Sequence, residues 1–73
     1  MANDEEFVAV VSRRLSQARA SAGITQVEAA ARAECTQEAI SQYESGRRIP
    51  RLPLAVRLAQ AYGRSMDDLY GVG

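Results

Sequence analysis

Signals that begin and end α-helices recur along the whole chain at short intervals. Apolar residues spaced three and four apart form stripes, and a glycine follows three of these stripes, at Gly23, Gly46 and Gly63. Residues that commonly cap or open a helix precede stripes, namely Thr25, Thr36, Pro53 and Ser65. Signals for β-strands do not recur. The sequence therefore predicts a compact all-α fold of five short helices joined by brief connections.

The same signals predict where the helices lie and which faces they bury. We place the first helix at about residues 4–21 with Asn3 as its cap, the second at about 26–33 and the third at about 36–45. Capping-box spacing occurs twice, at Thr25 with Glu28 and at Ser65 with Asp68. The residues predicted to face inward on the first four helices are Phe7, Val11, Leu15, Ala18 and Ala22, then Val27, Ala30 and Ala31, then Ala39, Ile40 and Tyr43, and finally Leu54, Leu58, Ala61 and Tyr62.

Positive charge is concentrated in the body of the chain, although the formal net charge is zero. Between Phe7 and Arg64 there are nine arginines and four glutamates, which gives +5, and the five remaining acids lie near the two ends. A phosphate backbone responds to local patches of charge rather than to the total. The planar guanidinium group also suits phosphate oxygens and guanine edges. The charge pattern is therefore compatible with a nucleic-acid partner.

Composition excludes several classes of function. There is no histidine, no lysine, no cysteine cluster and no glycine-rich phosphate loop, so we expect no enzyme, no cofactor and no bound metal. The single cysteine, Cys35, fits a reducing compartment, and we interpret it as a small inert residue rather than a redox sensor. The acidic N-terminus argues against export, and the lack of a long apolar run argues against membrane insertion. We expect a single cytoplasmic domain over residues 1–73, with no evident small-molecule effector.

Three segments, in order along the chain, resemble a known family. They are RASAGITQVEAAARA, TQEAISQYESGRRIP and LAQAYGRSMDDL, within a match from about Arg14 to Leu69. A Thr-Gln helix start, an Ile-Ser pair, a Glu-x-Gly helix end and a closing Asp-Asp-Leu occur in the order and at the distances found in the phage-repressor and Cro-like (XRE-type) helix-turn-helix regulators. The resemblance implies a lambda-repressor-like fold and sequence-specific binding of double-stranded DNA to regulate transcription.

The resemblance also implies which side chains read bases. Thr36, Gln37, Glu38 and Ser41 match the start of the recognition helix, which enters the major groove and meets base edges. Gln37 has the groups to pair with adenine N6 and N7, and Glu38 can accept a hydrogen bond from cytosine N4. We therefore expect these four residues to form the base-reading surface.

Other matching positions imply contacts with phosphates and one structural ion pair. The expected phosphate-binding residues are Gln26, Ser45, Arg47 and Arg48. Gln26 opens the second helix, where a helix N-terminus attracts anions. Arg19 and Glu44 match a pair that ties the first helix to the end of the recognition helix. The remaining arginines that we expect to be solvated surface are Arg13, Arg14, Arg32, Arg57 and Arg64.

One position departs from the family pattern. Glu34 lies in the turn between the second and third helices, where the family commonly has a glycine because one residue adopts a left-handed backbone. Glutamate at positive φ costs about 1 kcal/mol. We therefore expect a turn that is strained or differently shaped.

Two modes of action remain open. The first is a repressor that acts as a homodimer on a pseudo-palindromic operator, with a dimer surface drawn from Met66, Leu69, Tyr70 and Val72 near the end of the chain. The alternative is a protein-interaction module, such as an antitoxin-like partner, for which DNA binding is secondary. The second mode predicts an uncovered apolar surface on the C-terminal helices.

Overall fold

Five α-helices make up most of the computed structural model, which describes residues 4–71. They are α1 (Asp4–Ala22), α2 (Gln26–Ala33), α3 (Gln37–Glu44), α4 (Leu52–Tyr62) and α5 (Met66–Tyr70). No strand occurs within residues 4–71. The predicted all-α, five-helix fold is confirmed, with helix bounds close to the predicted ones. The predicted cap Asn3 and the dimer-surface candidate Val72 lie outside the described residues.

Capping side chains set the helix starts that the sequence predicts. Thr25 Oγ1 accepts from the Glu28 backbone N–H at 3.1 Å, and Glu28 Oε1 accepts from the Thr25 backbone N–H at 2.9 Å. The hydrogen bond from the Thr25 backbone N–H, and after it the Thr25 side chain, hold the pKa of Glu28 below its usual value because they favour the ionised carboxylate. Ser65 and Asp68 form the same reciprocal pair at the start of α5. Both predicted capping boxes are confirmed.

The core lies between the five helices, and α2 contributes Ala29, Ala30 and Ala33 to it. Its largest fully buried side chains are Leu15, Ile40, Leu58, Leu69 and Val11. α2 packs against both α3 and α4, and α3 also packs against α1. The contacts with α1 and α2 and the burial of Ile40 therefore fix the orientation of α3, whose remaining face is left to solvent.

The buried face of α2 differs from the predicted one. Ala29, Ala30 and Ala33 are buried, whereas Val27 is 59% exposed and Ala31 is also exposed. The prediction of inward-facing Val27 and Ala31 is wrong because α2 contacts α3 and α4 through the other face, which carries Ala29, Ala30 and Ala33. A face of alanines lets both neighbours approach closely.

The turn between α2 and α3 has a left-handed residue at the position where the family has glycine. Glu34 has φ 58° and ψ 49° and is the one non-glycine residue with positive φ in residues 4–71. Its backbone N–H donates to the carbonyls of Ala30 and Ala31, and the Cys35 N–H donates to Ala30 O at 2.9 Å. This is an ordinary helix C-cap. Of the two expected consequences of a glutamate at this position, the backbone is strained but the turn keeps its usual shape.

Substitution of Glu34 by glycine is expected to stabilise the fold. Glycine removes the Cβ clash at positive φ, and after its greater freedom in the unfolded chain is subtracted we expect a gain of up to about 0.5 kcal/mol in the free energy of unfolding. Urea denaturation of Glu34→Gly against the parent measures it. Glu34→Ala is the matched control, since it removes the carboxylate and keeps the strain. An equal gain from alanine would assign the effect to charge instead.

One of the predicted dimer-surface residues on α5 is buried in the core. Leu69 is only 1% exposed and lies in the core, so its assignment to a dimer surface is wrong. Apolar spacing could not distinguish a core position from a surface one this close to the end of the chain. Tyr70 and Met66 are half-buried, and the Tyr70 hydroxyl donates to Pro50 O at 3.1 Å. Burial raises the pKa of Tyr70 to about 12.

Candidate nucleic-acid interface

The solvent-facing side of α3 carries the polar side chains at its N-terminal end. Gln37, Glu38 and Ser41 are exposed, and so is the N-cap residue Thr36. The opposite side of the helix is anchored through Ile40, which is 1% exposed. Thr36 Oγ1 accepts from the Ala39 N–H at 3.0 Å, which leaves its hydroxyl proton available to donate. All four predicted base-reading side chains thus lie on one accessible surface.

A nearly buried carboxylate joins α1, α2 and α3 beside this surface. Glu44 accepts from Arg19 Nε at 2.7 Å and from Arg19 Nη2 at 3.0 Å, in the two-pronged geometry that suits a guanidinium. Gln26 Nε2 donates to the same carboxylate at 3.2 Å. The Glu44 side chain is only 8% exposed. The contact between Arg19 and Glu44 agrees with the predicted pair, but the involvement of Gln26 was not predicted.

Arg19 also fixes the connection between α1 and α2. Its Nη1 donates to Ile24 O at 2.9 Å, so one guanidinium bridges the loop and the end of α3. The hydrogen bonds to Glu44 raise the pKa of Arg19 and outweigh the opposing effect of burial. Gln26 is held half-buried at the first position of α2, where the backbone N–H groups have no partner within the helix. The start of α2 is thereby oriented relative to α3.

The segment after α3 groups three predicted phosphate-binding residues around one carbonyl. Gln42 O accepts from the Arg47 N–H at 3.0 Å, from the Arg48 N–H at 3.3 Å and from Ser45 Oγ at 3.2 Å. The guanidinium of Arg48 lies over the Tyr43 ring, 5.6 Å from its centroid. Ser45, Arg47 and Arg48 are all exposed. The segment therefore presents two cations and a hydroxyl at the C-terminal end of α3.

Sequence reasoning missed Gln42, whose side chain joins the two parts of the surface. Its Oε1 accepts from Arg48 Nη1 at 3.1 Å, and its Nε2 donates to Glu38 Oε1 at 3.4 Å. The spacing of Glu38 and Gln42, four apart on a helix, could have suggested their contact. The contact with Arg48 depends on how the chain turns after α3, which no local pattern specifies.

Comparison with known families decides the class of protein. A family profile described as helix-turn-helix matches residues 15–69, most of the chain. The chain belongs to the XRE/Cro/C1-type helix-turn-helix family. No curated protein matches the sequence.

Membership of this family indicates what the helix-turn-helix arrangement does. The family consists of DNA-binding transcriptional regulators and is not typically enzymatic. In this chain α2, the turn at Glu34 and α3 form the motif, and α3 presents its exposed polar face as a recognition helix would. Among residues 4–71 no group of three or more potential ligand side chains is placed to hold a metal ion. No helix in that range is long and apolar enough to cross a membrane.

Two arginines expected to be solvated surface instead support the helix-turn-helix fold. Arg57 Nε on α4 donates to Ala33 O at the end of α2, at 2.7 Å. Arg14 Nη1 on α1 donates to Gly71 O after α5. Both are half-buried, so that expectation was wrong for them. The carbonyls that they bind lie 24 and 57 residues away in sequence, and no local pattern signals such partners.

Cys35 is also part of the turn between α2 and α3 in this protein. It is half-buried, and burial raises the pKa of its thiol although nearby Arg57 acts in the opposite direction. Reactive cysteines have lowered pKa values because the thiolate is the nucleophile. The environment of Cys35 thus favours a protonated thiol that packs in the turn.

Proposed function

We propose that this helix-turn-helix protein reads a specific pseudo-palindromic operator as a homodimer and represses transcription by occupying a promoter. The observation that carries the proposal is the two-sided character of α3. One side is fixed to the core through Ile40 and Tyr43, while Gln37, Glu38 and Ser41 on the other are accessible. A side chain can discriminate between bases only if its helix is held rigidly and its polar groups are free to pair.

The flanks of α3 support a docking register. Gln26 at the start of α2 and the segment Ser45–Arg48 lie on either side of the exposed face in sequence and supply candidate phosphate contacts. Phosphate contacts orient a protein on the duplex, and base contacts then specify the sequence. In this register Thr36, Gln37, Glu38 and Ser41 enter the major groove. Residues 1–73 then act as one DNA-binding domain.

Two copies would place their recognition helices about 34 Å apart, which is one turn of B-DNA. The half-buried side chains of Met66 and Tyr70 are the described candidates for the contact between the copies. A bound dimer would exclude polymerase from the promoter. Double-stranded DNA and a second copy of the chain are thus the proposed partners.

Selection of binding sites from a random duplex pool at about 0.15 M salt tests the proposal, because only a ratio of specific to non-specific affinity separates base reading from charge attraction. We expect enrichment of a two-fold symmetric motif with half-sites one helical turn apart. If no motif is enriched and retention merely falls as salt rises, the base-reading function is wrong. An enriched single half-site would retain base reading and reject the homodimer.

A second candidate function is favoured by exposed apolar side chains on α4. Leu52 is 68% exposed and Val56, one turn further, is 36% exposed. Exposed apolar residues that are neighbours on one helix face can form part of a contact with another protein. This candidate is the antitoxin-like interaction module, for which a purified chain would show weak binding to DNA. Leu52→Ser with Val56→Ser would leave operator affinity unchanged in a pure DNA reader.

A further inference from the structure

Gln42 occupies the junction between the candidate base-reading and phosphate-binding groups. Its backbone carbonyl collects the N–H groups of Arg47 and Arg48 and the hydroxyl of Ser45. Its side chain independently contacts Glu38 and Arg48. Gln42 is half-buried, whereas Glu38 and Arg48 are exposed. One residue therefore contacts both functional groups while being less accessible than either.

The chemistry of the amide makes this contact directional. A carboxamide has an acceptor oxygen at one corner and a donor NH2 group at the other. Glu38 is an acceptor and Arg48 is a donor, so only one orientation of the Gln42 amide satisfies both. Glu38 thus favours the orientation of the Gln42 amide in which its oxygen accepts from Arg48, and Arg48 favours the orientation in which the amide NH2 group donates to Glu38. Hydrogen bonds to ionised groups are stronger than those between neutral groups.

Fixing these side chains before DNA arrives favours binding. Long side chains such as arginine and glutamate lose rotamer freedom when they are immobilised at an interface, which weakens association. The Tyr43 ring and Gln42 Oε1 already restrict Arg48, and Gln42 Nε2 restricts Glu38. Part of the ordering has then occurred in the free protein.

We propose that the Gln42 side chain is a positioning residue that couples base reading by Glu38 to the phosphate contact of Arg48. The inference rests on the proposed function and adds a role that requires no contact between the Gln42 side chain and DNA. A duplex that satisfies Glu38 stabilises the Gln42 amide orientation, which in turn holds Arg48 towards the backbone. The base that faces Glu38 then influences the contact between Arg48 and a phosphate, although a phosphate contact by itself does not depend on sequence.

A double-mutant cycle between Glu38→Ala and Arg48→Met, measured in two backgrounds, tests the coupling. The backgrounds are the parent and Gln42→Met, which keeps side-chain length and charge and removes both hydrogen bonds. With Gln42 present, we expect the effects of the two substitutions on Kd for the selected operator to deviate from additivity by at least about threefold. In the Gln42→Met background they should combine within about twofold. Gln42→Met alone should also lower the salt slope of log Kd by about 0.9, because Arg48 loses its phosphate contact.

Controls separate the possible failures. Gln60→Met alters an exposed glutamine on α4 and should change neither coupling nor salt slope. If the cycle is additive with Gln42 present, or if its coupling persists in the Gln42→Met background, the inference is wrong although the operator is still read. If the parent binds all duplexes equally, the proposed function and the inference both fail. A lower salt slope distinguishes positioning from a purely structural role, which would reduce only stability.

Discussion

Replacement of Arg19 by methionine is expected to lower the free energy of unfolding by about 2–3 kcal/mol. The substitution leaves the Glu44 carboxylate, 8% exposed, with Gln26 as its described side-chain partner. Removing one member of a buried pair costs about 3–5 kcal/mol because the other charge loses its compensation. Arg19 itself is 20% exposed, so screening by solvent reduces that figure. Thermal unfolding should show a midpoint lower by roughly 10–20 °C.

The double variant Arg19→Met with Glu44→Met is the decisive control. Removing both partners leaves no stranded charge, so the double variant should be more stable than Arg19→Met alone. A domain of this size has a total stability of roughly 4–11 kcal/mol, so the single variant should remain folded at low temperature. If the single substitution costs less than about 1 kcal/mol, the pair behaves as an ordinary surface ion pair.

The same pair also bears on function. Arg19 contacts the α1–α2 connection and the end of α3, and Gln26 reaches the same carboxylate from the start of α2. The two helices of the motif are thus held together by one partly buried polar cluster as well as by apolar packing. Loss of Arg19 would loosen the angle between α2 and α3, and with it the spacing between phosphate and base contacts. Operator affinity should fall even under conditions in which the variant remains folded.

Elements with local causes were predictable from the sequence. The helix starts follow from side chains that cap their own first turns, such as Thr25 and Ser65. The left-handed backbone at Glu34 was predicted from the glycine that the family commonly has there. These effects act over three or four residues, so the information lies within a short window. The family resemblance extended this local information to a fold, which the structure confirms.

Contacts between distant segments were not predictable. The Gln26–Glu44 hydrogen bond spans 18 residues and that from Arg57 to Ala33 spans 24. The buried face of α2 also depends on which neighbours it meets, and a run of alanines offers little periodic contrast from which to infer it. The contacts of long polar side chains are difficult to predict from the sequence, since the same arginine can be solvated or can bind a carbonyl. The packing around the arginine decides between these two environments.

Replacement of Gln37 by alanine is expected to abolish base preference at one position of each half-site without affecting stability. Gln37 is exposed at the start of α3, and a glutamine that pairs with a base edge through two hydrogen bonds contributes about 1–3 kcal/mol of discrimination. Its loss should weaken operator binding by roughly 5- to 150-fold while non-specific binding and the salt slope stay unchanged, because no phosphate contact is removed. Competition between operator and single-base variants measures it.

Gln60→Ala is the matched control for Gln37→Ala, since it truncates another exposed helical glutamine, on α4, away from the recognition helix. Both variants should unfold at the same denaturant concentration as the parent, to within the effect of a surface substitution. Only Gln37→Ala should lose discrimination, and only at the base pairs facing residue 37. Equal loss from both variants would indicate a general effect on affinity. Unchanged selectivity in Gln37→Ala would remove this side chain from the base-reading set and leave Thr36, Glu38 and Ser41 as the residues that distinguish sequences.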